Sequence, residues 1–160
     1  MPRGLKPAGT LVTLRRLLVA LMIFGASGLL VELALLEHWG ELRQWGPMLV
    51  LAVSIPLAAR TLARPIRQAL LVLRACMVVM IGSGLLGVWF HLEGNLAFER
   101  ELYPTHDLLP LLLEAFKGAT PTLAPGALIQ LGLLGLLTTL PVLTLPAAAS
   151  NSPPPPFEVE

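Results

Sequence analysis

The sequence predicts an all-α integral membrane protein: four transmembrane helices in a bundle, with a short amphipathic outer helix in the third-to-fourth loop. Three observations carry that expectation. Of 160 residues, 55% are hydrophobic and only 13% are charged, against roughly 25% charged in soluble domains. The mean hydropathy is +0.76. The apolar residues gather into runs long enough for a bilayer core of about 30 Å, and the charges between those runs are sorted by sign.

The first run covers 17–36 and is interrupted only by Glu32. Twenty helical residues rise about 30 Å, so one crossing is satisfied. Gly25-Ala26-Ser27 loosely resembles a signal-peptide cleavage site. The apolar run continues well past it, too far for an ordinary leader, so the run reads as a retained span. The second run, 45–60, contains Pro56. A bend is expected there, because Pro56 cannot donate to Ala52 and Ser54 is placed to serve a freed carbonyl. The third run covers 68–90, with Arg74 near one end. No charged residue occurs between Gly118 and Phe157, and 125–145 supplies a fourth span. Residues 1–146 thus read as one membrane domain, and the tail 147–160 is too rich in proline to pack.

Orientation follows from the lysines and arginines near the span ends. Arg3, Lys6, Arg15, Arg16, Arg60, Arg64, Arg67 and Arg74 fall on one side, against Arg43, Arg100 and Lys117 on the other. Eight against three places both termini in the cytoplasm of a bacterial-type inner (plasma) membrane. All three histidines and eight of the ten carboxylates then lie outside. Trp39, Trp45, Trp89 and Tyr103 fall at the outer boundary, where amphipathic rings favour the headgroup level.

The outer segment 91–122 contains the predicted short helix, Leu108 to Lys117. Asp107 is placed to cap it and Gly118 to end it as a C′ residue. Its six apolar side chains are too many for a solvated helix. The segment is expected to lie along the membrane surface or plug the bundle mouth.

Small residues mark the expected packing faces, because close backbone approach drives helix association in lipid. Gly25, Gly28 and Glu32 are spaced i, i+3, i+7, as are Gly84, Gly87 and His91, while Gly126 and Gln130 are four apart. Ser27-Gly28-Leu29-Leu30 recurs as Ser83-Gly84-Leu85-Leu86, and Leu36-Glu37 as Leu92-Glu93. A duplicated helical hairpin and chance repetition in a leucine-rich chain both account for the recurrence.

The candidate functional residues form an outer-side polar cluster: Glu32, Glu37, His38, His91, Glu93, Asn95, Glu99 and Gln130. Glu32 lies about 6 Å below the outer end of its helix, and an intramembrane carboxylate is a functional candidate by default. Gln130 is at similar depth, so the two are expected to meet across the glycine-lined faces. His91, Asn95 and Glu99 share a face if the third helix continues beyond the membrane, a continuation that Gly94 weakens. These groups are of the right type for a divalent ion, but the spacing of a metal site is missing. A solvated acidic rim is the simpler reading of them, since loose His/Glu groupings without ligand spacing are weak signals.

Other chemistries lack their residues. Cys76 is alone, so no disulfide or CxxC pair exists. The serines sit in apolar spans without GxSxG, and no phosphate-binding glycine loop occurs. No cofactor is implied: haem would need facing histidines within the bundle. Nucleic acid is an unsuitable partner because the basic residues sit at helix ends without interleaved aromatics. The partners expected are the lipid bilayer and a membrane protein or a second copy of the chain.

In length, in its four spans and in the single carboxylate of the first, the chain resembles small multidrug-resistance transporters. That resemblance implies proton-coupled exchange at Glu32. The chain departs from the family in its larger loop after span three and in a Glu32 near the outer end rather than mid-helix. The family's aromatic pocket is also missing. The stretch from His91 to Gln130 resembles small bacterial inner-membrane proteins and implies no activity. The leading expectation is a non-enzymatic interaction or accessory component. The alternative is a small proton- or ion-coupled transporter, or a metal-binding protein, using the outer Glu/His cluster.

Overall fold

The structure is a computed structural model that describes residues 7–141. The proline-rich tail and the far end of the fourth apolar run lie outside the described residues. All regular structure among these residues is helical: α1 (Pro7–Leu35), α2 (Trp45–Ala63), α3 (Arg67–Leu102), α4 (Leu108–Lys117) and α5 (Gly126–Thr138). A short 3-10 turn, Leu42–Gln44, precedes α2. Three stretches are long and apolar enough to cross a membrane: Gly9–Leu35, Leu42–Ala63 and Arg67–Leu102. The fourth apolar helix, α5, has 13 residues, which rise only about 20 Å.

One core joins α1, α2, α3 and α5. It is built from Val19, Met22 and Ala26, then Val50, Leu51 and Ala58, then Leu73, Met77 and Met80, with Leu128 from α5. The main packing partners of α3 are α5, α2 and α4, while α1 packs on α2 and α5. Helices α3 and α5 approach closely, and glycine permits it from both sides. A Cβ on Gly84 would stand 2.9 Å from the Pro125 carbonyl oxygen, and one on Gly132 would stand 2.9 Å from that of Met77. Both obstacles are backbone, so neither position accepts a side chain unless the helices separate.

Several local expectations need correction. The buried face of α5 is Leu128, Gly132, Gly135 and Thr138, not Gly126 and Gln130. Nothing approaches a Cβ at Gly126, and Gln130 is exposed. In α1 the buried stripe is Arg15, Val19, Met22 and Ala26. Gly25 borders it, 2.8 Å from Leu131 by its would-be Cβ, whereas Gly28 meets nothing within 4 Å. The repeated Ser-Gly-Leu-Leu segments are therefore used differently: Gly84 is a close contact and Gly28 is not.

Helix α2 runs continuously through Pro56, and Ser54 Oγ donates to the Leu51 carbonyl at 2.8 Å, not to that of Ala52. Helix α4 has the expected bounds, with Asp107 at its N-cap but no side-chain capping bond. Gly118 ends α4 at φ −56, so it is not the left-handed residue expected there. The left-handed position is instead Glu37, at φ 50. Its N–H donates to Ala34 O at 3.1 Å, and that of His38 to Leu33 O at 2.9 Å. This pair of reversed bonds is a Schellman closure of α1, with glutamate where glycine is usual.

Candidate functional site

Helix α3 does not stop where its apolar run ends at Phe90 but continues through Gly94 to Leu102. That extension carries His91, Asn95 and Glu99 on one face, and the chain from α4 to α5 lies against it. Asn95 is 5% exposed and is the hub. Its Nδ2 donates to Ala115 O at 2.9 Å, Thr120 O at 2.7 Å and Thr122 Oγ1 at 3.0 Å, so one of its two hydrogens is shared. Its Oδ1 accepts from the Thr120 N–H at 3.2 Å. Thr122 Oγ1 in turn donates to Ala115 O at 3.1 Å. The glycine at 118 is required by this hub, since a Cβ there would lie 2.6 Å from Asn95 Cγ.

One turn earlier, His91 Nδ1 lies 2.9 Å from the Pro121 carbonyl. A carbonyl only accepts, so Nδ1 carries the proton and Nε2 keeps the lone pair when the ring is neutral. His38 reaches the same neighbourhood from the α1–α2 connection. Partial burial, and secondarily the nearby His91, hold its pKa below the usual histidine value of 6.5. The connection is fastened by Trp45 Nε1 donating to Trp39 O at 3.1 Å, and by the Arg43 guanidinium 5.5 Å from the centre of the Phe90 ring. Arg43 also pairs with Glu41, whose carboxyl it holds below the ordinary range by hydrogen bond and charge.

The structure therefore brings together His38, His91 and Asn95, and leaves the other candidates apart. Glu32, Glu37, Glu93 and Gln130 are exposed. Glu32 and Gln130 make no hydrogen bond to each other among the described residues, because each sits off its helix's buried stripe. Glu99 is half-buried and lines a separate outer groove of about 350 Å³ with Leu102, Tyr103, His106, Leu111 and Glu114. The rings of Tyr103 and His106 stack there, 4.8 Å apart. Among the described residues no three His, Cys, Asp or Glu side chains group closely enough to hold a metal ion.

A second polar site lies at the opposite end. Arg15 is 6% exposed. Its Nε donates to Thr138 O at 3.1 Å and its Nη2 to Thr61 O at 2.8 Å. Arg74 donates from Nε to Thr139 Oγ1 at 2.9 Å, and from Nη2 to the Thr139 carbonyl. Thr61 lies near the end of α2, and the residue four on is Pro65, which has no amide to give; Thr138 and Thr139 stand at the end of α5. The two guanidiniums donate to the carbonyls of these three residues and face the negative ends of both helix dipoles. Counting arginines for orientation misses this. The available signal was Arg15 standing in register with Val19, Met22 and Ala26.

Comparison with protein-family models, with curated proteins and with solved structures finds no match to this chain.

Proposed function

We propose that the protein is a small inner-membrane protein with four crossings and both termini cytoplasmic, and that it acts as a non-enzymatic accessory component. In this reading its outer platform engages a membrane protein partner. The observation that carries it is the state of α4. Asn95 fixes this helix's C-terminal end to α3, yet Leu108, Leu109 and Leu113 remain 57%, 68% and 54% exposed. A helix held that firmly with its apolar face uncovered suits docking at the membrane surface.

The fourth crossing is supported by where α5 begins and ends. Pro125 packs at Gly87, near the outer end of α3, and Thr138 and Thr139 reach Arg15 and Arg74 at the other. The helix is short, but it runs between the two charged boundaries. A reporter after Glu160 should read cytoplasmic and one near Thr105 periplasmic; matching readings on both sides of α5 would remove the fourth crossing.

A photo-crosslinker at Leu109 or Leu113 in native membranes tests the docking role. A discrete protein adduct at both positions is expected, and lipid adducts alone would refute it.

A further inference from the structure

Between the start of α3 and the end of α5 lies a groove of about 360 Å³ lined by Pro65, Arg67, Leu70, Leu71, Arg74, Thr139 and Pro141. We infer that this groove holds the phosphate of an anionic phospholipid from the inner leaflet, with the acyl chain descending over Leu70 and Leu71. The inference rests on the topology proposed above.

Charge is the first reason. The described part of this end carries Arg15, Arg16, Arg60, Arg64, Arg67 and Arg74, and its sequence contains no Asp or Glu. Both ion pairs among the described residues, Glu41–Arg43 and Glu114–Lys117, are at the other end. Among the described residues this end therefore has no acid of its own to pair with, and the remaining acids proposed for the same side are Glu158 and Glu160.

Placement is the second reason. Arg67 and Arg74 are seven residues apart and so lie on one stripe of α3. Arg74 is held by its two donations to Thr139, which fix the guanidinium at the groove wall. Arg67 is exposed, has no polar partner among the described residues and stands at the first position of the helix. There the unpaired N–H groups of the first turn add to its charge. Arg74 lies two turns deeper, with Leu70 and the exposed Leu71 between. A basic groove between helices with an apolar lower wall matches a lipid headgroup above its chain. A soluble anion would make no use of the leucines.

The test is lipid retention by the full chain in nanodiscs of phosphatidylcholine containing a minority of phosphatidylglycerol, read by native mass spectrometry. Wild type should retain one phosphatidylglycerol preferentially. Arg67→Gln should lower that occupancy about fivefold, the weight of one arginine at an anionic surface. Arg64→Gln removes the same charge outside the groove and should change occupancy less than twofold. Equal losses from the two variants would mean diffuse attraction and would overturn the site. Displacement of the lipid by millimolar inorganic phosphate would reassign the groove to a free anion. A several-fold rise in occupancy in the double variant Glu158→Gln, Glu160→Gln would show that the chain's own acidic end fills it, which also overturns the lipid. If retention fails while the reporters still place both termini in the cytoplasm, the lipid inference alone is lost.

Discussion

The two ends of the helical assembly solve the same problem with opposite chemistry. Each must satisfy backbone carbonyls where helices stop, in surroundings with little water to help. At the inner end two arginines do it, and each carbonyl receives a charged donor. At the outer end a neutral amide and an imidazole do it, through Asn95 and His91. The difference follows from what each end can tolerate. In the proposed orientation the arginine end is the inner side, where positive charge also sets topology. The outer side has acids enough already, so a neutral clamp closes the α4–α5 segment without adding to them. Both ends are thereby fastened, one by charged donors and the other by neutral ones.

Breaking the inner clamp should have the larger effect. Arg15→Met leaves the carbonyls of Thr61 and Thr138 buried without donors, at about 1–3 kcal/mol each. A loss of about 2–5 kcal/mol is expected in detergent unfolding. Arg15→Lys should recover less than half, because a single ammonium lacks the fork that reaches two helices. If the methionine variant were as stable as wild type, the carbonyls would have found water, and the contrast between the ends would vanish.

Asn95→Asp is the matching break outside. It replaces the donating amide nitrogen of Asn95 with an oxygen facing Ala115 O and Thr120 O. About 2–3 kcal/mol should be lost, and hydrogen exchange should accelerate across 108–122 while the inner ends of α2 and α5 keep their protection. Uniform acceleration over the chain would show that the outer clamp is not locally separable.

Between the two clamps the comparison is sharpened by glycine. Gly84→Ala would force Ile129 and the Pro125 carbonyl away and should cost about 1–3 kcal/mol by overpacking. Gly28→Ala meets open space and should be neutral or slightly stabilising, since alanine favours helix by about 1 kcal/mol. Detergent unfolding of the pair separates them. Equal effects would mean that α3 and α5 are not in close contact.

How far these features were readable depends on how rare the residues are. The apolar runs and the bounds of α4 follow from charge gaps and from the Asp107 and Gly118 boundaries. Face assignment failed for α1 and α5 because both are apolar all round, so periodicity carries almost no information. Only scarce residues then mark a face, and the choice among them matters. Gly25, Gly84 and Gly87 pack closely, while Gly28 and Gly126 do not. Of the polar cluster, His91 and Asn95 were legible from their four-residue spacing. Glu32 is within the apolar run yet exposed and off the Val19–Ala26 stripe, because depth along a span does not fix which face a residue occupies. The role of Thr120 and Thr122 could not be read, because it depends on the chain folding back along an α3 extension that Gly94 argues against.

The smallest expected effect is a pH response confined to the outer end. His38 is half-buried beside His91, next to the exposed Glu37, and both burial and the neighbouring imidazole favour its neutral form. The unfolded chain takes up a proton at His38 near pH 6.5, while the folded chain resists until lower pH. Within that window the unfolded state binds more protons, so stability rises with pH. The contribution is complete above pH 6.5 and is lost as pH falls toward the folded value. Because much of the ring still meets solvent, the change should be small. Unfolding followed between pH 7.5 and 5.5 should therefore show a slightly steeper acid decline in wild type than in His38→Gln, with the inner clamp unaffected. A wild-type decline no steeper than the variant's would mean that His38 and His91 are not held together, and the pH response assigned to this end would be lost.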